Sequence, residues 1–252
     1  MRRNLIRQIV NVLAVVATIA VNGLANALPL NGLTTGEISD RFHVYFVPAG
    51  YVFAIWGLIY LGLILFAIYQ ALPAQRDNLR LSRIDYLFPL SCLANIVWLF
   101  LWHYEQFPLT LVAMFSLLGL LIAIYLRLGI GRAAVSPGER WLVQVPFSVY
   151  LGWVTVATIA NVTDVLDYLG WNGWGIRPEV WAVIMLVVGG GITFLVSLTR
   201  SDMAFLLVIL WAYAGIAIKQ AATPLVAYAA WLIAALLLLL HGITMDNVRK
   251  QT

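Results

Sequence analysis

The side chains with the clearest chemical potential lie on one hydrophobic segment, from Tyr150 to Asn161. Tyr150, Trp153, Ala157 and Asn161 recur at i, i+3, i+7 and i+11, which places them on one stripe of an α-helix. An unpaired amide in hydrocarbon is costly, so we expect Asn161 to face other helices or a cavity. Aromatic walls with few polar groups suit a flat, apolar ligand. Ordinary bundle packing, with Asn161 bonded to a neighbouring helix, is the alternative.

Two other hydrophobic segments carry aromatic side chains at the same helical spacing. In each segment three residues fall on one face, so their rings are predicted to point in a common direction. Indole and phenol rings can stack on a planar molecule while their N–H or O–H groups reach its edge. Packing against a neighbouring helix is the alternative for each ring. The two sets are Phe53, Trp56 and Tyr60, and Asn95, Trp98 and Trp102.

Groups that could perform catalysis or hold a metal are few and dispersed. His43, His103 and His241 are far apart in the sequence and predict no metal site. Cys92 is the only cysteine, so a disulfide within the chain and a CxxC zinc pattern are both excluded. No nucleophile stands beside a base. Binding is therefore favoured over catalysis.

Composition indicates an integral membrane protein. Of the 252 residues 63% are hydrophobic and only 10% are charged, and the mean hydropathy is +0.92. A soluble core needs far less apolar surface, and strand alternation is absent, so an all-α membrane bundle in a lipid bilayer is predicted. The basic residues are spread over short loops rather than gathered on one face, which argues against nucleic-acid binding.

Eight hydrophobic segments are predicted to cross the membrane as helices. The connection between the first two, 31–47, is long for a helical bundle, and such loops are often lids. The first segment follows a basic N-terminus, and its length favours a retained helix over a cleaved signal peptide. The segments cover about residues 8–28, 48–72, 84–102, 108–128, 141–166, 180–198, 203–218 and 224–243.

Loop charge predicts the orientation of this eight-helix bundle. With the N-terminus inside, twelve of the fifteen lysines and arginines fall on the inner side, and only Arg41, Arg177 and Lys219 fall outside. Basic loops are cytoplasmic by the positive-inside rule. We therefore expect both termini in the cytoplasm, the 31–47 loop outside, and a bacterial plasma (inner) membrane as the location.

Three of the segments together resemble the TspO/MBR family, also called the tryptophan-rich sensory protein or translocator protein family. Residues 48–60, Pro-Ala-Gly-Tyr-Val-Phe-Ala-Ile-Trp-Gly-Leu-Ile-Tyr, resemble P-P-G-W-x-F-x-x-W-x-x-L-Y, and residues 95–98 are similar to N-x-x-W. Residues 146–161 resemble P-Y-x-x-W-x-x-F-A-x-x-L-N. The resemblance covers about residues 5–168, and the family usually has five helices. It implies a TspO-like five-helix unit, 1–170, followed by three additional helices, 171–252.

The resemblance also implies a function. It implies a membrane-embedded binding or sensory protein with a pocket between helices two, three and five, covered by the first loop, for porphyrins or other tetrapyrroles. No cofactor is required, and a porphyrin or haem-like molecule would be the ligand. Arg41 and His43 in the lid are candidates to meet its carboxylates. The ligand-binding positions it implies are Pro48, Gly50, Phe53, Trp56, Tyr60, Asn95, Trp98, Tyr150, Trp153, Ala157 and Asn161.

Two other functions stay open: a small-molecule transporter and a light-dependent porphyrin-degrading protein. A proton-coupled carrier normally places ionisable groups near the midplane, whereas Asp85, Asp164 and Lys219 are predicted near helix ends. Small residues in the seventh and eighth segments allow close helix contacts within one chain or between two, so a homodimer also stays open.

Overall fold

The computed structural model describes residues 2–28 and 30–249, and all regular structure in those ranges is helical. Met1 and residues 250–252, which the predicted topology assigns to the cytoplasm, lie outside the described residues. A 3-10 turn, Gly50–Ala54, leads into α3, and a π-helical turn, Arg140–Gln144, joins α7 to α8. The helices are α1 (Arg2–Ala27), α2 (Thr35–Ser39), α3 (Ile55–Ala71), α4 (Leu79–Ile84), α5 (Leu87–His103), α6 (Phe107–Leu128), α7 (Pro137–Glu139), α8 (Val145–Tyr168), α9 (Pro178–Arg200), α10 (Met203–Lys219) and α11 (Pro224–Arg249).

Six of these helical segments are long and apolar enough to cross a membrane. The helices α5 and α10 are apolar but have 17 residues each, a rise of about 25 Å, slightly less than the ~30 Å of a hydrocarbon core. The prediction of a polytopic all-α membrane bundle is confirmed, and the chain is an integral membrane protein. The six long spans are Asn4–Ala25, Gly50–Ala71, Phe107–Leu128, Pro137–Tyr168, Pro178–Arg200 and Pro224–Met245.

The second predicted span, 48–72, does not begin as an α-helix. Pro48 precedes the helical residues, and Ala49 is extended with φ −60° and ψ 148°. The N–H of Ala49 donates to the carbonyl of Gly215 at 3.2 Å, so a partner on α10 satisfies a group that a helix would leave unpaired near its start. The α-helical part of this span therefore starts one turn later, after the Gly50–Ala54 turn.

Helix α8 occupies the centre of the bundle. Seventy-eight percent of its apolar stretch is buried, against 33–39% in the other five long spans. It packs against α3, α6 and α10, which surround it. Asn161 and Asp164 on α8 consequently face protein rather than lipid, as expected for an amide and a carboxyl group at membrane depth.

Helices α9 and α10 dock tightly on the preceding part of the chain. Three glycines, Gly131, Gly152 and Gly215, lie where α9 or α10 approaches most closely. A Cβ on Gly215 would lie 2.2 Å from Cγ2 of Val52 in the 3-10 turn, so only glycine fits there without a shift. The division of the chain at residue 170 stays a prediction, and the contact between its two parts is close-packed.

Candidate functional site

A cavity of about 50 Å³ lies between the Gly50–Ala54 turn, α3, α5, α6 and α8, with α2 above it. Most of its wall is aromatic or aliphatic, and four indole rings contribute to it. Eight of the eleven ligand-binding residues predicted from the sequence line this cavity. They are Pro48, Phe53, Trp56, Asn95, Trp98, Trp153, Ala157 and Asn161.

The other three predicted residues, Gly50, Tyr60 and Tyr150, lie outside the cavity wall. Gly50 is exposed at the start of the 3-10 turn. The ring of Tyr60 stacks on Trp56 at 5.6 Å, and the ring of Tyr150 meets Trp56 edge-on at 6.2 Å. The two tyrosines thus contact Trp56 without lining the cavity.

Aromatic rings from three helical segments converge on the cavity. Trp153 of α8 meets Phe53 at 5.7 Å and Trp56 at 6.3 Å, both edge-to-face. On the opposite wall Trp98 stacks on Trp102 at 5.5 Å with an interplanar angle of 19°. Trp102 also lines the cavity. The helical spacing predicts that Trp102 shares a face with Trp98. The family motif does not include Trp102, so the predicted site omits it.

The amide of Asn161 links three helices. Its Oδ1 accepts from Nε1 of Trp98 on α5 at 3.1 Å, and its Nδ2 donates to Oγ1 of Thr110 on α6 at 2.9 Å. Asn95, the other amide in the wall, accepts from Nδ2 of Asn22 on α1 at 2.8 Å. The bundle-packing alternative therefore describes the Asn161 amide, although its side chain also borders the cavity.

Two polar atoms in the cavity wall have no hydrogen-bond partner among the described residues. They are Nε1 of Trp153, a donor, and Oδ1 of Asp164, an acceptor, and their side chains are 2% and 3% exposed. The two residues are eleven apart on α8, so they share a face and are separated by about 16 Å along the helix. Buried polar groups are rarely unpaired, so these two atoms are free to bond to a molecule in the cavity.

Asp164 was not among the predicted site residues. Its position in the sequence predicts a place near a helix end, but it also lies three residues after Asn161, about one turn away on the same face. That spacing was the signal that could have found it. In the structure its side chain is buried and lines the cavity, about one turn before Asp167, which bonds to His43 of the 31–47 loop.

Residues 30–47, here called the lid, cover the cavity. Thr35 and Ser39 of α2 reach its wall. Nε1 of Trp102 donates to the carbonyl of Thr35 at 3.2 Å. His103 holds the lid at two points, because one ring nitrogen lies 3.1 Å from the hydroxyl of Thr35 and the other 3.1 Å from the carbonyl of Leu30.

The two lid residues predicted to meet a ligand, Arg41 and His43, lie on the outer surface instead of in the cavity wall. Arg41 pairs with Glu105 in the α5–α6 connection, and this carboxylate raises the pKa of the arginine above its ordinary value. The backbone N–H of His43 donates to Oδ2 of Asp167 at 3.1 Å. Both residues therefore tie the closed lid to the bundle.

The side chains of His103 and His241 form hydrogen bonds between segments of the chain. His103 joins α5 to the lid, and His241 of α11 lies 2.7 Å from the hydroxyl of Ser197 on α9. Within the ranges that the structure describes, no group of three or more His, Cys, Asp or Glu side chains is placed to hold a metal ion.

A capping box at the start of α2 makes the lid sensitive to acid. The Glu37 carboxylate accepts from the N–H of Thr34 at 2.7 Å and from its hydroxyl at 2.8 Å. These bonds lower the pKa of Glu37 below its ordinary value of 4.5. Because the folded pKa is the lower one, the stabilisation is present above 4.5 and is lost as the pH falls through the folded pKa.

We therefore expect hydrogen-exchange protection of the α2 amides to fall as the pH drops below about 4.5, while protection in α5 stays constant. The Thr34→Ala variant should show the low α2 protection already at neutral pH, because it removes the hydroxyl from the capping box. Equal α2 protection in acid and at neutral pH would contradict this prediction.

The cavity in this closed arrangement is small. Its volume of about 50 Å³ suffices for about three water molecules. Sites for drug-sized ligands usually measure roughly 300–1,000 Å³. A tetrapyrrole or other flat ligand can enter only if the lid moves away from α5 and α8.

Comparison with known families gives one match. The model of a family described as TSPO-like protein matches residues 8–243, which includes the lid, every residue of the cavity wall and nearly all of α9–α11. Neither the search of curated proteins nor the search of solved structures finds a match.

Proposed function

The chain belongs to the TSPO-like family, and on that premise we propose that it is a binding and sensory protein for flat, hydrophobic, tetrapyrrole-like ligands held between α3, α5 and α8. The observation that carries the proposal is the pair of unpartnered atoms, Trp153 Nε1 and Asp164 Oδ1, in an otherwise aromatic cavity. A ligand that supplies an acceptor to one and a donor to the other would satisfy both.

The wall chemistry defines the class of ligand. Trp98 and Trp102 lie nearly parallel and present a broad indole surface, which favours a planar guest. Asp164 favours an N–H, O–H or cationic group at the lid end, because its Oδ1 is an unpartnered acceptor and, when ionised, the side chain would repel a ligand carboxylate. The propionates of a porphyrin would consequently extend past the lid to solvent, and the opposite, apolar edge of the macrocycle would face the cavity.

Entry requires the lid to open, and its polar ties are weak enough to allow that. The ion pair between Lys219 and Asp40, 2.7 Å long, and the Arg41–Glu105 pair are both solvent-accessible. Exposed pairs contribute about 0–1 kcal/mol each. The packing of the Phe42 ring against Trp102 at 5.7 Å is one of the apolar contacts that a departing lid would lose. We propose that lid opening couples ligand binding to a signal on the outer surface.

The Trp153→Phe variant tests the cavity directly. It keeps an aromatic ring but removes the unpartnered N–H, so we expect protoporphyrin to bind about tenfold more weakly. The dissociation constant is measured by the shift of the porphyrin absorbance during titration of the detergent-solubilised protein. The reference is Trp181→Phe, because the N–H of Trp181 already donates to Gly173 at 2.9 Å, away from the cavity. Equal affinities for the two variants would count against the proposal.

Transport is the second candidate, and the burial of Asp164 favours it. A buried ionisable residue in a membrane cavity is a common feature of substrate paths. If the protein is a carrier, vesicles containing it will take up protoporphyrin, and Asp164→Asn will abolish uptake while leaving equilibrium binding measurable. A pure binding protein will show no uptake above protein-free vesicles.

We also propose the orientation given by loop charge. The arginines of the α3–α5 and α6–α8 connections would face the cytoplasm, and the lid would face outwards. Accessibility of cysteines introduced at Ser82 and Gly36 to an impermeant maleimide in intact bacterial cells would test it. Labelling at Gly36 alone is expected, and labelling at Ser82 alone would reverse the topology.

A further inference from the structure

A groove of about 950 Å³ runs along the membrane-facing side of the bundle, separate from the cavity. Its two sides are α3 and α10, and its floor is α8. The sides join at the lid end, where Nε1 of Trp211 donates to the carbonyl of Val52 at 3.1 Å. From that junction they separate, and Leu58 and Leu207, each more than half exposed, border the gap. Apolar side chains therefore line the long part of the groove.

Unused hydrogen-bond donors lie at the other end of the groove. Arg140 lines it and is exposed, and no hydrogen bond or ion pair of its side chain occurs within residues 2–28 and 30–249. Gln144 lies one turn further along, and only 8% of this residue is exposed. Its Nε2 also has no hydrogen-bond partner in the described chain. The side chain of Arg200 completes the set, with one bond to the carbonyl of Ile130 at 3.3 Å.

One acidic residue, Asp202, also lines the groove, and its carboxylate is already bonded. It accepts from the hydroxyl of Tyr125 at 2.8 Å, from the hydroxyl of Ser148 at 2.6 Å and from the N–H of Phe205 at 3.1 Å. Among the described residues, Asp202 and Arg200 form no ion pair, since none of their side-chain oxygen and nitrogen atoms lie within 4.0 Å of each other. With two arginines and one carboxylate, this end of the groove is net positive.

We propose that the groove is a binding site for one anionic phospholipid. The phosphate would lie against Arg140 and Arg200 and accept from Gln144, and one acyl chain would follow α8 towards Trp211. From Arg140 to Val149 the floor spans about 14 Å, and beyond the headgroup end the apolar side chains of Val145, Val149 and Leu207 line the path of the chain. Basic pockets between membrane helices bind anionic headgroups in this way, whereas a choline headgroup would bring a second cation to the arginines.

The test uses the purified full-length protein in detergent with added phosphatidylglycerol or phosphatidylcholine, observed by native mass spectrometry. We expect one phosphatidylglycerol per chain to be retained and phosphatidylcholine to be lost. Arg140→Gln should weaken phosphatidylglycerol binding about fivefold, the effect of one basic contact. The matched control is Arg83→Gln, which removes the same charge from an exposed site at the same end of the bundle, outside the groove.

Equal weakening by Arg140→Gln and Arg83→Gln would overturn the proposal, because it would mean diffuse surface charge. A second variant, Leu207→Trp, fills the apolar part of the groove and leaves both arginines in place. It should also lose the lipid, and normal retention would overturn the acyl-chain part. Competition by inorganic phosphate at millimolar concentration would show a free-anion site instead. Protection of the buried Cys92 from maleimide confirms that each variant is folded.

Discussion

Replacing Gly131 with alanine is expected to lower the free energy of unfolding by about 2–5 kcal/mol. Gly131 has φ +75°, a conformation that costs an L-residue about 1–2 kcal/mol. In addition, a Cβ at this position would lie 2.1 Å from the carbonyl oxygen of Arg200. Overpacking costs a further ~1–3 kcal/mol, and a backbone carbonyl at a helix end cannot turn aside as a side chain can.

Gly170→Ala is the matched control for this prediction. Gly170 has φ +66°, but nothing lies within 4 Å of a Cβ placed there, so only the backbone strain of about 1–2 kcal/mol applies. Unfolding is followed by maleimide labelling of Cys92, the only cysteine, which is 2% exposed. The Gly131 variant should unfold roughly 10 °C below wild type, and the Gly170 variant much closer to it. Equal melting temperatures for the two variants would exclude the close contact.

The contact of Gly131 with Arg200 holds the end of α9, just before α10 begins at Met203. It matters for the site because α10 packs against two elements of the cavity wall. Gly152 of α8 lies where a Cβ would be 3.1 Å from Val208 of α10, one residue before Trp153. On the other side, α10 holds the Gly50–Ala54 turn that carries Phe53. Loosening α9 and α10 would therefore shift two of the aromatic walls, although neither helix lines the cavity.

The helical bundle and the convergence of its aromatic rings could be predicted from the sequence. In a bilayer every backbone polar group must be bonded within the protein, so long apolar segments can only be helices. On a helix, spacing fixes the face, and this is why Trp56, Trp98 and Trp153 reach one cavity as their positions predict. The amide of Asn161 was likewise expected to face protein.

The partners within the cavity could not be predicted in the same way. A stripe of residues indicates which face is shared, but it does not say which rings on that face reach the cavity. Tyr60 stacks on Trp56 from one turn further along α3, and Tyr150 meets Trp56 from α8, so both tyrosines contact Trp56 instead of the cavity. Arg41 is directed outwards by Glu105, a residue 64 positions away in sequence. Such pairings depend on how the connections fold back, which periodicity does not encode.

The volume of the cavity also could not be predicted from the sequence. Residue types predicted a greasy, aromatic-walled space, but its volume depends on how far α2 descends between α5 and α8. With Ile38 1% exposed and Phe42 packed on Phe107 at 5.0 Å, the lid is closed and the space is small. A proposal for a large flat ligand therefore includes a prediction about motion as well as about chemistry.

Asp164→Asn is expected to change which form of a porphyrin the protein prefers. In the wild type, at a pH high enough to ionise Asp164, the uncharged dimethyl ester of protoporphyrin should bind about tenfold or more tightly than the free acid, because a propionate that approaches the ionised Asp164 meets a like charge in a buried site. Asparagine keeps the size and the Oδ1 acceptor but removes the charge. The free acid should then gain affinity by about the same factor, while the ester changes little.

Asp167→Asn separates this effect from general surface charge. Asp167 lies one turn further along α8, is exposed, and accepts from the lid N–H of His43 outside the cavity. Its replacement removes the same charge near the entrance, so it should leave the ratio of ester to acid affinity close to that of the wild type. Absorbance titrations with both porphyrins give the ratio for each protein. An Asp164 variant with the wild-type ratio would mean that this carboxylate does not meet the ligand, and the proposed orientation of the macrocycle would then be wrong.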